Sequence, residues 1–348
     1  MYTRPMAKKQ SRRSTALSPE KATTSRQKPS AKSAETSASR ARDVNVENSS
    51  AQTDIRVFQL QAPLGLEDAP AIDPAFEPLA RLKAPTDSWS AVAGLVQSKE
   101  GMRAKIVGVV PHDFVAKTGI AGQGWLRLLE RHVGKDAYLL NPWPSEEALF
   151  PNPLSRAYIE RPQLAEAYSR IFEAAGQPKA LATGLCTSAE HCIAPYMFAT
   201  PAFWSAFVSY VEDHWLVFVG GLPAVDQAAL EAPFAGQGIV AHETPVTILI
   251  ARLLPLFLQS ELGRGFQALK VSLPHRESEM NAHLQSLRQL KDAAVKGRSA
   301  WLARAWNNYR NLYLLQVNGK EWCQRHLPAL SLPATDPAPL ATAQTPAG

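Results

Sequence analysis

The clearest pattern of apolar and polar positions lies between residues 104 and 142. A continuous apolar run, AKIVGVV at 104–110, predicts a buried strand, and DAYLLNP at 136–142 predicts a second one. Between them, a glycine-bearing turn at 111–124 leads into WLRLLERH at 125–132, which has helical spacing. The pattern predicts a β-turn-α-β unit, whose parallel strands open a binding crevice at their carboxyl ends.

Other segments extend this unit into a larger α/β fold. Strand character is present at 55–61 and at 191–200. The spacing of amphipathic helices is found at 87–96, 161–176 and 201–215. These elements predict an α/β fold with a mainly parallel sheet and flanking helices.

The last third of the chain reads as helical. The apolar stretch 243–259 predicts a buried helix that is kinked or ended near Pro255. The stretch 277–316 predicts two helices broken near Gly297. The domain prediction is a disordered basic tail at 1–52, an α/β domain at 53–262, C-terminal helices at 263–327 and a disordered Pro/Ala/Thr-rich tail at 328–348.

Charge is concentrated in the N-terminal tail. Residues 1–43 carry eleven Lys and Arg against three acidic residues, a net charge of +8, whereas the whole chain carries +6. The remainder is mildly acidic, which argues against a nucleic-acid-binding body. Because the tail has few apolar residues, it cannot offset its ordering entropy by burial, and we expect only weak contact with anionic surfaces.

Cysteine content and hydropathy bear on the compartment. The three cysteines, Cys186, Cys192 and Cys323, predict no disulfide framework and fit a reducing environment. The longest apolar run, at 246–258, is too short to cross a bilayer and contains Arg252. We therefore expect no transmembrane segment and a cytoplasmic protein.

Several motifs occur in an order that resembles a known family. They are D-P-x-F-x-P-L at 73–79, F-x-x-K-T-G at 114–119, D-x-Y-x-x-N-P at 136–142 and P-x-F-W at 201–204. Together they resemble a bacterial glycosyltransferase-like family. The resemblance implies a nucleotide-sugar transferase fold, with a nucleotide sugar as donor and a surface polysaccharide or other glycan as acceptor.

The chain departs from that family pattern at three places. Ala121 stands where the family has a serine, Ala194 and Pro195 stand where it has Cys-Asn, and Ala251 stands where it has an acidic residue. The departures keep a second interpretation open, namely a catalytically degenerate glycosyltransferase-like module that binds a ligand or a partner protein.

The turn after the first buried strand supplies the first candidate residues. Lys117, Thr118 and Gly119 precede a helix, where backbone N–H groups and a lysine charge favour the diphosphate of a bound nucleotide. Asp113, beside His112, is a candidate general base, although an aspartate here is also an ordinary turn or cap residue.

The second strand and a late helix supply the others. Asp136 is a candidate base or ligand, or else a strand-entry turn residue. Asn141 suits a ribose or sugar hydroxyl, and Trp143 suits stacking with a base or sugar. Arg252 is either a paired buried arginine or a clamp for an anion.

Metal chemistry is left open by the sequence. No Asp-x-Asp occurs, so a divalent cation would need another ligand set, and a metal-independent mechanism would place Lys117 or Arg252 at the phosphates. Cys186, His191 and Cys192 lack a fourth ligand at a standard zinc spacing, so no metal site is predicted.

Overall fold

The fold is taken from a computed structural model, which describes residues 54–62, 70–79, 88–98, 101–132, 134–160, 163–175, 184–194, 196–232 and 244–330. The predicted N-terminal tail lies outside these residues, as do residues 331–348 of the predicted C-terminal tail. All the described residues belong to a single unit, Ala51–Gly348.

Six strands form one sheet. They are β1 (Ile55–Leu60), β2 (Glu77–Leu79), β3 (Ile106–Val110), β4 (Ala137–Leu140), β5 (Met197–Ala199) and β6 (Ala268–Val271). Their order across the sheet is β2-β1-β3-β5-β4-β6. The pairs β1–β2, β1–β3 and β4–β6 are parallel, whereas β5 is antiparallel to both β3 and β4.

The α/β prediction agrees with this architecture, but the sheet is mixed rather than mainly parallel. β4 ends at the carboxyl edge of the parallel strands, and β5 enters from that same edge, where Leu140 donates its N–H to the carbonyl of Tyr196 at 3.0 Å. Because the connection leaves and returns at one edge, β5 must run against its neighbours. The two strands of the predicted β-turn-α-β unit are therefore parallel, with β5 between them.

The helices alternate with the strands and then dominate. They are α1 (Ser88–Gln97), α2 (Phe114–Thr118), α3 (Gly122–Glu130), α4 (Pro144–Leu149), α5 (Pro153–Glu160), α6 (Gln163–Ala174), α7 (Pro201–Val211), α8 (Val217–Gly220), α9 (Ala224–Glu231), α10 (Pro245–Ala251), α11 (Leu254–Gln259), α12 (Pro274–Glu277), α13 (Ala282–Lys296), α14 (Ala300–Asn318) and α15 (Lys320–His326). A π-helical turn, Glu212–Leu216, joins α7 to α8, and a 3-10 turn, Leu327–Leu330, follows α15.

The sheet is covered on both faces because its strands alternate between two cores. In β4, Ala137 and Leu139 join a core that includes Trp204, whereas Tyr138 and Leu140 join the opposite core. The indole N–H of Trp204, on α7, donates to the carbonyl of Val107 in β3 at 2.8 Å. This bond satisfies the only polar atom that the indole brings into the interior.

Gly108 permits the central contact of the opposite face. It pairs with Phe198 across β3 and β5, and a Cβ added to it would lie 2.3 Å from the Phe198 ring. The Phe198 ring stacks on Trp125 of α3, with centroids 5.5 Å apart. A glycine in β3 thus lets an aromatic ring lie flat over the strand and seat α3 on the sheet.

The C-terminal helices form a third core against α4. Trp306 of α14 is fully buried, and its indole N–H donates to the carbonyl of Ala148 at 2.9 Å. Leu287 of α13 and Leu314 of α14 pack in the same core. The preceding strand β6 lies in the segment for which the sequence predicted helices alone.

Candidate functional site

Three loops meet at the carboxyl edge of the sheet, after β3, β4 and β6. The first carries Asp113 and Lys117, the second carries Asn141 and Trp143, and the third, at 272–273, leads into α12. The predicted glycine-bearing turn of the first loop contains a short helix, α2, so Lys117 occupies a helical position. The carboxyl ends of parallel strands are where α/β proteins bind ligands, so these loops define the candidate crevice.

Lys117 joins the first two loops. Its ammonium lies 2.9 Å from Asp113 Oδ2 and 5.5 Å from the centroid of the Trp143 ring. The lysine side chain is 36% exposed and that of Asp113 is 9% exposed. Asp113 Oδ1 is buried and has no hydrogen-bond partner among the described residues. A solvent-accessible cation therefore lies between a carboxylate with unused acceptor capacity and an aromatic face.

Helix α12, which follows β6, contacts the end of α2. Arg276 donates through Nη2 to the carbonyl of Lys117 at 2.7 Å. Gly119 ends α2 at φ 71°, and a Cβ there would lie 2.9 Å from His275 Nε2. Gly119 thus serves both the left-handed helix end and the close approach of the imidazole. Sequence reasoning missed His275 and Arg276, because β6 lies in a segment that was read as helical.

The Thr118 hydroxyl and the first N–H of α3 form hydrogen bonds within the protein. Thr118 is fully buried, and its hydroxyl accepts from the Ile120 N–H at 3.4 Å. Asp73 Oδ2 accepts from the Gly122 N–H at 2.8 Å, so a carboxylate occupies the helix N-terminus that was expected to favour a phosphate. Gln59 in β1 fixes this arrangement, accepting from the Asp73 N–H at 2.8 Å. The charge available to a ligand here is that of Lys117.

The side-chain amide of Asn141 forms hydrogen bonds within the turn after β4 and to α4. Its Oδ1 accepts from the Trp143 N–H at 3.0 Å, and its Nδ2 donates to the Trp143 carbonyl at 3.2 Å and to Glu147 Oε1 at 3.0 Å. These bonds use both donors of the amide and hold Trp143 beside Lys117. Asn141 therefore positions the indole.

Next to that turn lies a cluster of opposite charges, Glu147, Lys270, Arg288 and Lys291. We call it the sealed cluster because its one carboxylate is fully buried; the side chains of Lys270 and Arg288 are 14% and 23% exposed. Glu147 is fully buried, with Oε2 2.5 Å from Lys270 Nζ and 3.5 Å from Arg288 Nη1. Burial raises the pKa of Glu147, and the cations Lys270, Arg288 and Lys291 oppose that rise. Lys291 is also fully buried and donates to the carbonyl of Phe150 at 2.9 Å. The cluster links β6 and α13 to α4.

Asp136 lies at the opposite edge of the sheet from Asp113. It precedes β4, its Oδ2 accepts from the Gln267 N–H at 2.7 Å, and its carbonyl accepts from the Thr200 N–H at 2.8 Å. The two aspartates that the sequence offered as catalytic candidates are separated by the length of a strand. The structure therefore does not bring them together.

Arg252 caps a helix with its own side chain. It follows α10, and its guanidinium donates to the carbonyls of Pro153 at 3.2 Å and Ile248 at 3.1 Å. Within the described ranges, no carboxylate lies at ion-pair distance from it. Beside it, Ala194 donates its N–H to the carbonyl of Ala251 at 2.8 Å.

The cysteine and histidine group is buried and neutral. Cys186 Sγ lies 3.8 Å from His191 Nδ1, burial raises the pKa of Cys186 to about 11, and the pKa of His191 is well below its usual value. In the part of the chain that the structure describes, no three His, Cys, Asp or Glu side chains are grouped to hold a metal ion.

No described helix combines the length and the apolar character needed to cross a membrane.

Comparisons with protein-family models, with curated proteins and with solved structures found no match to this chain.

Proposed function

We propose that the chain is a glycosyltransferase that binds a nucleotide-sugar donor in the crevice at the carboxyl edge of the sheet. The acceptor is a surface polysaccharide or another glycan. The observation that carries the proposal is the position of the Lys117 ammonium, between the Asp113 carboxylate and the Trp143 ring. A nucleotide sugar needs these features together, a cation for its diphosphate and a flat apolar surface for its base or sugar.

In the proposed reaction, Lys117 exchanges Asp113 for the donor diphosphate. The bond from the anomeric carbon to the diphosphate breaks as the acceptor oxygen bonds to that carbon, and Lys117 stabilises the negative charge on the leaving nucleoside diphosphate. Asp113, with Oδ1 unused by the described residues, then accepts the proton of the attacking acceptor hydroxyl. Arg276 adds a second positive charge beside Lys117, and the His275 imidazole lies against Gly119. A divalent cation is not required by this assignment, and Asp136 has no part in it.

The second candidate is a binding module without turnover. It is favoured by the separation of Asp113 and Asp136, because the crevice then holds one of the two predicted carboxylates. In either case the three buried cysteines are unpaired, in keeping with the proposed cytoplasmic location.

Thermal unfolding with uridine- and guanosine-diphosphate sugars, with and without Mn²⁺, tests the binding step. We expect at least one donor to raise the Tm, and Lys117→Met to remove that shift. Lys135→Met is the matched control, because this lysine contacts Gln267 at the opposite edge and should leave the shift intact. The proposal fails if none of the nucleotide sugars changes the Tm.

Turnover separates the two candidates. With a donor that binds, release of the nucleoside diphosphate should be lost in Asp113→Asn while the Tm shift is kept. If the parent protein binds the donor but releases no nucleoside diphosphate with any acceptor, the chain is the binding module instead.

A further inference from the structure

The long helix α14 presents large apolar side chains to solvent. Trp301 is 73% exposed, Leu312 is 66% exposed and Leu315 is 44% exposed. With Ala305 and Asn308 these residues follow a spacing of four, three, four and three, which places them in one stripe along the helix. We call this stripe the outer face of α14.

The opposite side of α14 anchors the helix to the rest of the protein. Trp306, Arg310 and Leu314 are buried and recur every four residues. Arg310 donates through Nη2 to the carbonyl of Leu330 at 3.1 Å and lies 4.7 Å above the Trp306 ring. These contacts orient α14 so that its outer face points toward solvent.

The charged residues of α14 and of the turn that precedes it have one sign. No Asp or Glu occurs between Lys296 and Lys320, and Arg298 and Arg304 are exposed at the tryptophan end of the helix. An exposed stripe of Trp and Leu with basic flanks is typical of helices that lie in a membrane interface, with the apolar side chains below the headgroups and the cations among them.

We propose that the outer face of α14 docks on the surface of an anionic lipid bilayer, with the helix axis parallel to that surface. A second copy of the chain is a poorer occupant, because pairing would bring two acid-free basic faces together. Three large apolar side chains per copy are also few beside the twenty or so residues that a standard interface uses on each side. This inference rests on α14 alone and is independent of the proposed transferase activity.

The test is cosedimentation of the full chain with vesicles of phosphatidylcholine alone or mixed in equal parts with phosphatidylglycerol. Substitution Trp301→Gln with Leu312→Gln and Leu315→Gln should lower the partition coefficient on the mixed vesicles by roughly tenfold or more. Val217→Gln with Val225→Gln is the matched control, since these residues are 57% and 75% exposed elsewhere. Both variants keep the basic N-terminal tail, so its attraction to the vesicles contributes equally to the two measurements.

Arg298→Glu with Arg304→Glu should weaken binding to the mixed vesicles, and the parent should bind phosphatidylcholine alone more weakly. Because all these positions are exposed, circular dichroism and Tm should stay at the parental values. Equal partition of parent and outer-face variant would overturn the proposal. So would a dimer in sedimentation velocity that the outer-face variant abolishes, since that result assigns the face to a second copy.

Discussion

Two groups of opposite charges lie at the same edge of the sheet but differ in burial. The sealed cluster holds Glu147 without solvent contact, whereas the Asp113–Lys117 pair at the candidate site has a lysine that is 36% exposed. A buried ion pair cannot lose one member without leaving an unpaired buried charge. An exposed cation, in contrast, can change partners with little change in free energy. The buried group therefore stabilises the structure, whereas the partly exposed group is available to a ligand.

The largest effect should come from Glu147→Ala. Removing the carboxylate leaves Lys270 and Asn141 without their buried partner, and we expect the free energy of unfolding to fall by about 3–5 kcal/mol. Chemical denaturation measures this loss. Glu166→Ala is the control, because its side chain is 78% exposed and pairs with Arg170 at the surface, so it should change stability by less than about 1 kcal/mol. Equal effects of the two substitutions would remove the distinction between sealed and open groups.

The next effect concerns pH. Burial lowers the pKa of His191 well below its usual value, and the nearby cations Lys291, Lys270 and Arg252 lower it further. Below the ordinary histidine pKa of about 6.5 the unfolded chain binds a proton that the folded chain does not, so stability falls as the pH falls, by up to ~1.4 kcal/mol per pH unit. Unfolding titrations from neutral to mildly acidic pH should show this slope, and His191→Gln should flatten it. A slope that survives the substitution would assign the acid sensitivity elsewhere.

The smallest effect should come from Lys117→Met in the absence of ligand. The pair with Asp113 is partly solvated, so its loss should change the free energy of unfolding by less than about 1 kcal/mol. The same denaturation experiment measures it. A loss as large as that of Glu147→Ala would make Lys117 a structural residue and remove the basis of the open crevice.

The strands with continuous apolar runs were predictable from local pattern. The runs at 104–110 and 136–142 correspond to β3 and β4, and the break predicted near Gly297 separates α13 from α14. The helix predicted at 243–259, kinked or ended near Pro255, is two helices, α10 and α11, and Pro255 occupies the first turn of the second one. Local signals placed these elements because residues close in sequence determine them.

The site was predictable only where it depended on strand ends. Lys117 and Trp143 meet because each follows a strand that points to the carboxyl edge, as the sequence indicated. β6 was missed because it is four residues long and its first three residues are partly or fully exposed, so no apolar run marks it. Without β6, neither His275 nor the partners of Glu147 could be placed. Strand pairing over more than a hundred residues leaves no local signal.

The insertion of β5 between β3 and β4 has a consequence for the order of folding. Until residues 197–199 are synthesised, β3 and β4 each expose a strand edge, although the crevice residues Asp113, Lys117 and Trp143 have already been made. Non-local strand pairing of this kind forms slowly, and the unpaired strand edges are prone to aggregation until it is complete. The two loops of the crevice are thus brought into register by a strand that arrives after both, which couples assembly of the site to late closure of the sheet.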